Sequence, residues 1–337
     1  MKAVVIGAGR MGRRHVRVVR DLGLELVGLA DASAPALEAA RSEDGLPADA
    51  LFTDIARLLE ERRPECVVVA TTTPGHADLT CRAAEAGARF ILCEKPMAVS
   101  LAECDRMLKT CRQRGTQLAI NHQMRFMEQY TVPRALLESE AFGGLRSVLV
   151  SAGNFGMAMN GTHYFEMFRF MTGEAPATAT AWFSAGAVPN PRGLQFEDRA
   201  GSVRLETRSG KRFYMDVSDD QGHGVKVTYS ARNGQITVDE LAGVMVLDVR
   251  QDEHRALPTT RYGMPNRREE RRIAPADAVA PSRAVLEALL SGSSYPTGEE
   301  GRLAVAALVA AYVSDEQDHM PIRVDAGLPA DRAFPWA

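Results

Sequence analysis

The sequence predicts an α/β fold: an N-terminal doubly wound parallel sheet, then a C-terminal α/β domain with an open, mainly antiparallel sheet. Three observations carry this. Residues 1–120 alternate short apolar runs with amphipathic stretches, as repeated βα units do. A glycine turn, Gly7-Ala8-Gly9-Arg10-Met11-Gly12, follows Val4-Val5-Ile6 directly. Beyond about residue 122 the pattern becomes alternating segments joined by tight turns such as Ser209-Gly210 and Asn233-Gly234. Asn-Gly between alternating runs is the strongest short-range hairpin signal. The division is set at 122/123, giving domains 1–122 and 123–337.

Taken in order, 2–6 reads as a strand, 11–22 as a helix and 25–30 as a second strand. Helices follow at 35–41 and 55–62, the first with Pro35 in its opening turn. The β-branched run at 66–70 suits a strand buried on both faces. Thr71-Thr72-Thr73-Pro74-Gly75 breaks it, and a helix at 76–86 ends at Gly87. Strand 90–93 comes next. Ser100 is placed to cap a helix at 101–114, which stops at Gly115, and 117–120 is one more strand. In the second domain a helix at 130–139 leads to a strand at 145–152 and a helix at 164–172. Strands are expected at 202–207, 212–217, 225–230, 235–240 and 244–249. The polar stretch 251–280 reads as loop, and 282–290 and 301–314 as closing helices.

The glycine turn reads as a dinucleotide cradle. Gly7 makes the tight turn, Gly9 leaves room for a pyrophosphate, and Gly12 lets the helix pack closely. Arg10 can touch the pyrophosphate, whereas Arg13, Arg14, Arg17 and Arg20 read as a solvated helix face. The second strand ends at Asp31, where an acid takes the ribose hydroxyls of NAD. No Lys or Arg follows until Arg41, so a 2′-phosphate would meet uncompensated negative charge. NAD is therefore favoured over NADP. Asp31, Thr71, Glu94, Lys95 and Asn121 all fall at carboxyl ends of strands, where such sheets bind ligands.

Bulk properties bound the rest. The chain has 337 residues, enough for two domains, with 45% hydrophobic and 25% charged residues. A net charge of −3 gives no general pull toward nucleic acid or an anionic membrane. The five cysteines lie in the first half without a CxxC pair, the usage of a reduced, cytoplasmic protein rather than of a disulfide framework or zinc site. No metal site is apparent, and the longest apolar stretch, 303–313, is too short to cross a bilayer.

These residues together resemble the glucose–fructose oxidoreductase/inositol dehydrogenase (Gfo/Idh/MocA) family. The likeness rests on Gly7 to His15 (GAGRMGRRH), Ala70 to His76, Cys93 to Ala98 (CEKPMA), Asn121 to Phe126 (NHQMRF) and Gly161-Thr162-His163. It implies a Rossmann domain, then an α/β domain whose sheet often makes a homodimer or homotetramer. It further implies that Lys95 polarises the reacting oxygen and that its peptide bond to Pro96 is often cis. Glu94 is then expected near the nicotinamide ribose or amide. Met11, Thr71, Thr72 and His76 join the cofactor positions, Gln123 neighbours the nicotinamide, and Arg125 is mainly structural. His15 reads as a helix-face residue.

Lysine chemistry fits the expectation, since a cation beside a hydroxyl stabilises the developing alkoxide. His163 is the second candidate, with a neutral pKa suited to proton exchange. The family pattern D-x-G-x-H puts an assisting aspartate four residues earlier, but this chain has Met159 there. Either another group, such as Asn160 or Glu166, orients His163, or the chemistry differs. The segment from Gly153 through Asn154 to Asn160 is also short. It fits a site open to a nucleotide-linked sugar, or a small substrate held by other loops. The expected activity is hydride transfer between nicotinamide and a carbinol carbon of a sugar, cyclitol or derivative. The alternatives are a redox-neutral NAD-using enzyme and an NAD-binding regulator.

Overall fold

The computed structural model describes residues 1–153, 155–187, 190, 192–258 and 265–337. Asn154 of the short segment before His163, and residues 259–264 of the stretch read as loop, lie outside the described residues. In chain order the first elements are β1 (Lys2–Ile6), α1 (Arg10–Asp21), β2 (Glu25–Ala30), α2 (Ala34–Asp44), β3 (Leu51–Phe52), α3 (Ile55–Arg62), β4 (Cys66–Val69), α4 (His76–Glu85), β5 (Phe90–Cys93), α5 (Leu101–Arg114) and β6 (Gln117–Ile120). They are followed by α6 (Glu128–Leu137), β7 (Leu145–Gly153), α7 (Thr162–Thr172), β8 (Pro176–Ala187), β9 (Arg199–Thr207), β10 (Arg212–Ser218), β11 (Lys226–Ala231), β12 (Gly234–Asp239), β13 (Val244–Arg250) and β14 (Asn266–Arg272). The last are α8 (Val279–Ser291), α9 (Gly298–Glu316) and β15 (Ile322–Arg323).

Two compact units result. The first comprises Met1–Gln123, Ala278–Val305 and Pro329–Ala337. Its six-stranded sheet runs β3-β2-β1-β4-β5-β6, all parallel. This is the dinucleotide-fold order, with the reversal beside β1. Every residue of β4 and β5 is buried, as strands covered on both faces must be. Ser100 caps α5 through its side chain, accepting from Glu103 N at 3.2 Å, and Gly115 ends the helix at φ 71°.

Later segments of the chain return to the first unit. Helix α8 packs against α1, β5 and β6. The Asn121 side chain donates to Ser282 Oγ on α8 at 3.1 Å. Near the end of the chain, Phe334 N donates to Val99 O, and the buried Trp336 donates its indole N–H to Ala98 O at 3.1 Å. Helical periodicity marks 282–290 as a helix without naming the sheet it covers.

The second unit, Met124–Asp277 and Ala306–Leu328, holds a nine-stranded sheet ordered β14-β13-β12-β11-β7-β10-β9-β8-β15. It is antiparallel apart from the parallel β7–β10 pair. One sheet face is core: Val148, Val150, Phe213, Met215, Val227 and Tyr229 are buried. Phe165 and Phe168 of α7 meet Phe213 at ring separations of 6.0 and 5.4 Å. The opposite face shows Leu149, Trp182 and Tyr214 to solvent, and Leu149 and Tyr214 are direct partners across β7 and β10. The charged run after Asn266 is the strand β14 rather than loop, with Arg268 paired to Asp248 at 3.2 Å.

Candidate active site

The glycine turn joins β1 to α1, and its three glycines have different surroundings. Gly7 has φ 108°, and a Cβ there would lie 2.5 Å from Ala70 O. A Cβ on Gly12 would lie 1.8 Å from Gly7 O, so only glycine lets α1 fold down on the turn. Gly9 meets nothing within 4 Å and has an ordinary φ of −70°. No described residue crowds position 9, and the space in front of it is open. Gly9 is also the N-cap of α1 without a side-chain cap, leaving first-turn N–H groups for an anion. These features fit a dinucleotide pyrophosphate. Arg10 and Met11 open α1 beside it.

Asp31 ends β2 as expected. Its Oδ2 accepts from Ala8 N at 2.7 Å and its Oδ1 from Ser33 N at 2.8 Å. The carboxylate thus holds the glycine turn while remaining half-exposed. Arg13 is engaged with Asp44 and Glu43 at 2.5 and 2.8 Å. With Arg10, Arg14 and Arg17 it lines a concavity of about 420 Å³ beside Ala8.

The loops after β4, β5 and β6 bring Thr71, Glu94, Lys95 and Asn121 to one edge of the first sheet. Thr71 is half-buried and Thr72 exposed. His76 is buried, with Nδ1 2.9 Å from Pro96 O and Nε2 3.1 Å from Thr71 O. Its ring therefore ties the loop after β4 to the loop carrying Lys95. The Lys95–Pro96 peptide is cis. Lys95 is half-buried, and Gln123 is half-buried at the end of the segment.

Glu94 and His15 form a buried pair behind the edge of the sheet. The Glu94 carboxylate is buried and engaged inside the first unit. Its Oε1 accepts from His15 Nε2 at 2.7 Å and from Asn121 Nδ2 at 2.8 Å. Desolvation pushes its pKa up, but the bonds and charge of His15, with Lys95 and Asn121, outweigh this and hold it at about 2. His15, read as a helix-face residue, is fully buried beneath Glu94. The signal was its place on the α1 stripe Gly12, His15, Val16 and Val19, which faces the sheet.

In the second unit His163 is the second residue of α7 and is buried. Glu166 is committed elsewhere: Arg125 donates to it, and Arg169 grips it through two bonds of 2.7 and 2.8 Å. Arg125 also lies over the Phe170 ring at 5.4 Å, in keeping with a structural part. The turn before α7 has a carboxylate partner that the sequence did not reveal. Buried Asp198 accepts from Ala158 N at 2.7 Å and Met159 N at 2.8 Å. No group of three or more His, Cys, Asp or Glu among the described residues is arranged to hold a metal. No helix among them is long and apolar enough to cross a membrane.

The parallel sheet, its strand order and the glycine cradle define a dinucleotide-binding protein. Residues 1–122 match the family model GFO_IDH_MocA, described as an oxidoreductase family with an NAD-binding Rossmann fold. Residues 1–122 are thus an NAD-binding Rossmann domain of the kind that model describes. D-apiose dehydrogenase from Paraburkholderia graminis is 31% identical over 197 residues, covering 53% of this chain and 52% of the relative. An inositol 2-dehydrogenase from Rhizobium meliloti is 28% identical over 261 residues, covering 71% and 77%. The chain spans about half the length of the first curated relatives it matches. An oxidoreductase from Agrobacterium radiobacter, solved with NAD+, L-tartaric acid and magnesium, superposes with a TM-score of 0.80 at 19% identity, covering 96% and 98%. That likeness shows a shared fold.

Proposed function

We propose that this protein is an NAD-dependent oxidoreductase acting on a secondary alcohol or ketone carbon of a sugar, cyclitol or sugar derivative. The observation that carries the reading is the glycine cradle with Lys95 at the carboxyl edge of the same sheet. The dehydrogenase names of the D-apiose and inositol relatives support the substrate class. When bound, the nicotinamide supplies the hydride acceptor or donor at C4. Gly7, Gly9, Gly12, Arg10 and Met11 hold the pyrophosphate, and Asp31 faces the adenosine ribose. The negative charge at Asp31 supports NAD over NADP. Thr71, Thr72 and Gln123 complete the cofactor contacts, with His76 and Glu94 shaping them from behind. Lys95 binds the substrate oxygen and stabilises it as its proton leaves. His163 exchanges that proton. Domains 1–122 and 123–337 divide the labour, with later segments completing the first.

The exposed Leu149, Trp182 and Tyr214 support a homodimer or homotetramer through this sheet face. The five buried, free cysteines support a cytoplasmic site of action.

The test is NADH formation at 340 nm over a panel of polyols, sugars, sugar acids and nucleotide sugars, with NAD and NADP side by side. Turnover on one class, with Lys95→Ala lowering kcat by about 10²–10⁴-fold and leaving NAD affinity within a few-fold, is the expected result. Full activity in Lys95→Ala would remove the mechanism. Saturable NAD binding with silence across the panel would favour a redox-neutral or regulatory protein.

A further inference from the structure

Met159 stands where the family pattern has an aspartate, and the second unit brings a different carboxylate to the same turn. Asp198 lies immediately before β9, and its side chain is 1% exposed. Its two oxygens take one backbone N–H each, from Ala158 and from Met159 itself. The turn Met157–Gly161 continues directly into α7, where His163 is the second residue. Gly156 N-caps this turn and offers no side chain. A Cβ on Gly156 would lie 2.2 Å from Asp198 Cγ, so the glycine opens the space that the carboxylate fills. Asn160 N and Gly161 N donate to Gly156 O at 3.2 Å, and Thr162 Oγ1 donates to Ala158 O at 3.1 Å.

Burying a carboxylate is costly unless its oxygens are well bonded. Charge-assisted bonds to two successive amides repay that cost and fix the backbone that carries them. The negative charge also suits the positive end of the helical run that begins at Met157. We infer that Asp198 is the positioning residue for His163, supplying from the start of β9 the support that the family pattern draws from the position of Met159. It holds the turn, and the turn sets where the imidazole stands. The inference rests on the reading of His163 as the proton-exchanging group.

The experiment compares wild type, Asp198→Asn and the double variant Asp198→Asn/Met159→Asp. Asparagine keeps the volume but replaces one of the two acceptor oxygens with an NH2 donor that faces the other amide. Kinetics use the best substrate of the panel, NAD affinity is read by fluorescence, and amide exchange by NMR at Ala158 and Met159. Asp198→Asn is expected to lower kcat about 10–100-fold, with KM and NAD affinity within about two-fold and faster exchange at the two amides. The added Met159→Asp is expected to restore at least about ten-fold of the lost kcat, a gain that a merely structural role for Asp198 would not produce. Unchanged kcat, or no restoration, overturns the inference. Should Asp198→Asn fail to fold, Gly156→Ala displaces the carboxylate instead, and full kcat in that variant overturns it equally. A wild type silent across the whole panel removes the dehydrogenase reading on which the inference rests, and the positioning role falls with it. A wild type that turns over, with exchange and kcat unmoved in the variants, removes this inference alone.

Discussion

At the scale of single residues, Gly9 and Gly12 separate binding from folding. Gly9→Ala places its methyl in open space, so the thermal midpoint stays within a degree or two of wild type while NAD affinity falls at least about ten-fold. Gly12→Ala drives a methyl into a backbone carbonyl and costs at least about 2 kcal/mol of stability. Calorimetry with and without NAD checks both; equal loss of stability in the two variants would contradict the account. The places of the three glycines, Asp31 and Lys95 were legible because each follows the end of an apolar strand. Asp198 was not, because nothing in a one-dimensional spacing links it to a turn some forty residues earlier. The inward use of Glu94 was equally hidden, since the letters of a motif do not say which way a carboxylate turns.

At the scale of elements, a buried carboxyl joins two helices to the second sheet. Glu240, just past β12, accepts from Tyr130 of α6 and, at 3.0 Å, from Tyr164 of α7. Desolvation raises its pKa to about 7, with Asp239 adding to the rise and the two tyrosine hydroxyls opposing it. The folded state therefore holds a proton that the unfolded chain releases between about pH 4.5 and 7. Stability from this group is full below pH 4.5 and is lost as pH rises through 7, by about 3 kcal/mol. Glu240→Gln should flatten that part of the pH profile. The check is the thermal midpoint at pH 5 and pH 7.5 in both proteins; an identical slope would sink the assignment. The strands with alternating apolar residues, β9 to β13, were legible to within a few residues. Strand β14 was not: Asn266–Arg272 is almost wholly charged and exposed on both faces, as an edge strand can be. The small residues of β8 gave little periodicity, and β3 is only two residues long.

At the scale of the molecule, the fold class was legible from the change of pattern near residue 122, but the bookkeeping of the chain was not. The first unit is built from three separate stretches, because α8 and the final nine residues complete a sheet laid down much earlier. The proposed assembly also belongs to this scale. Light scattering should give a dimer or tetramer for wild type and a lower mass for Leu149→Arg/Tyr214→Glu, which charges two cross-strand partners on the open face. A monomeric wild type would exclude the sheet-face interface.

The Trp336 indole closes over the carbonyl of Ala98, 238 residues earlier, in the loop that carries Lys95. A ribosome adds about 5–20 residues per second, so that cover arrives about 10–50 s after the loop itself has been made. Throughout that interval the nascent Rossmann sheet waits with an apolar flank uncovered, and the lysine loop lacks its backing. The lysine loop is thus made well before the residues that back it, and a polypeptide interrupted between the two would carry the whole cradle without a completed carboxyl edge.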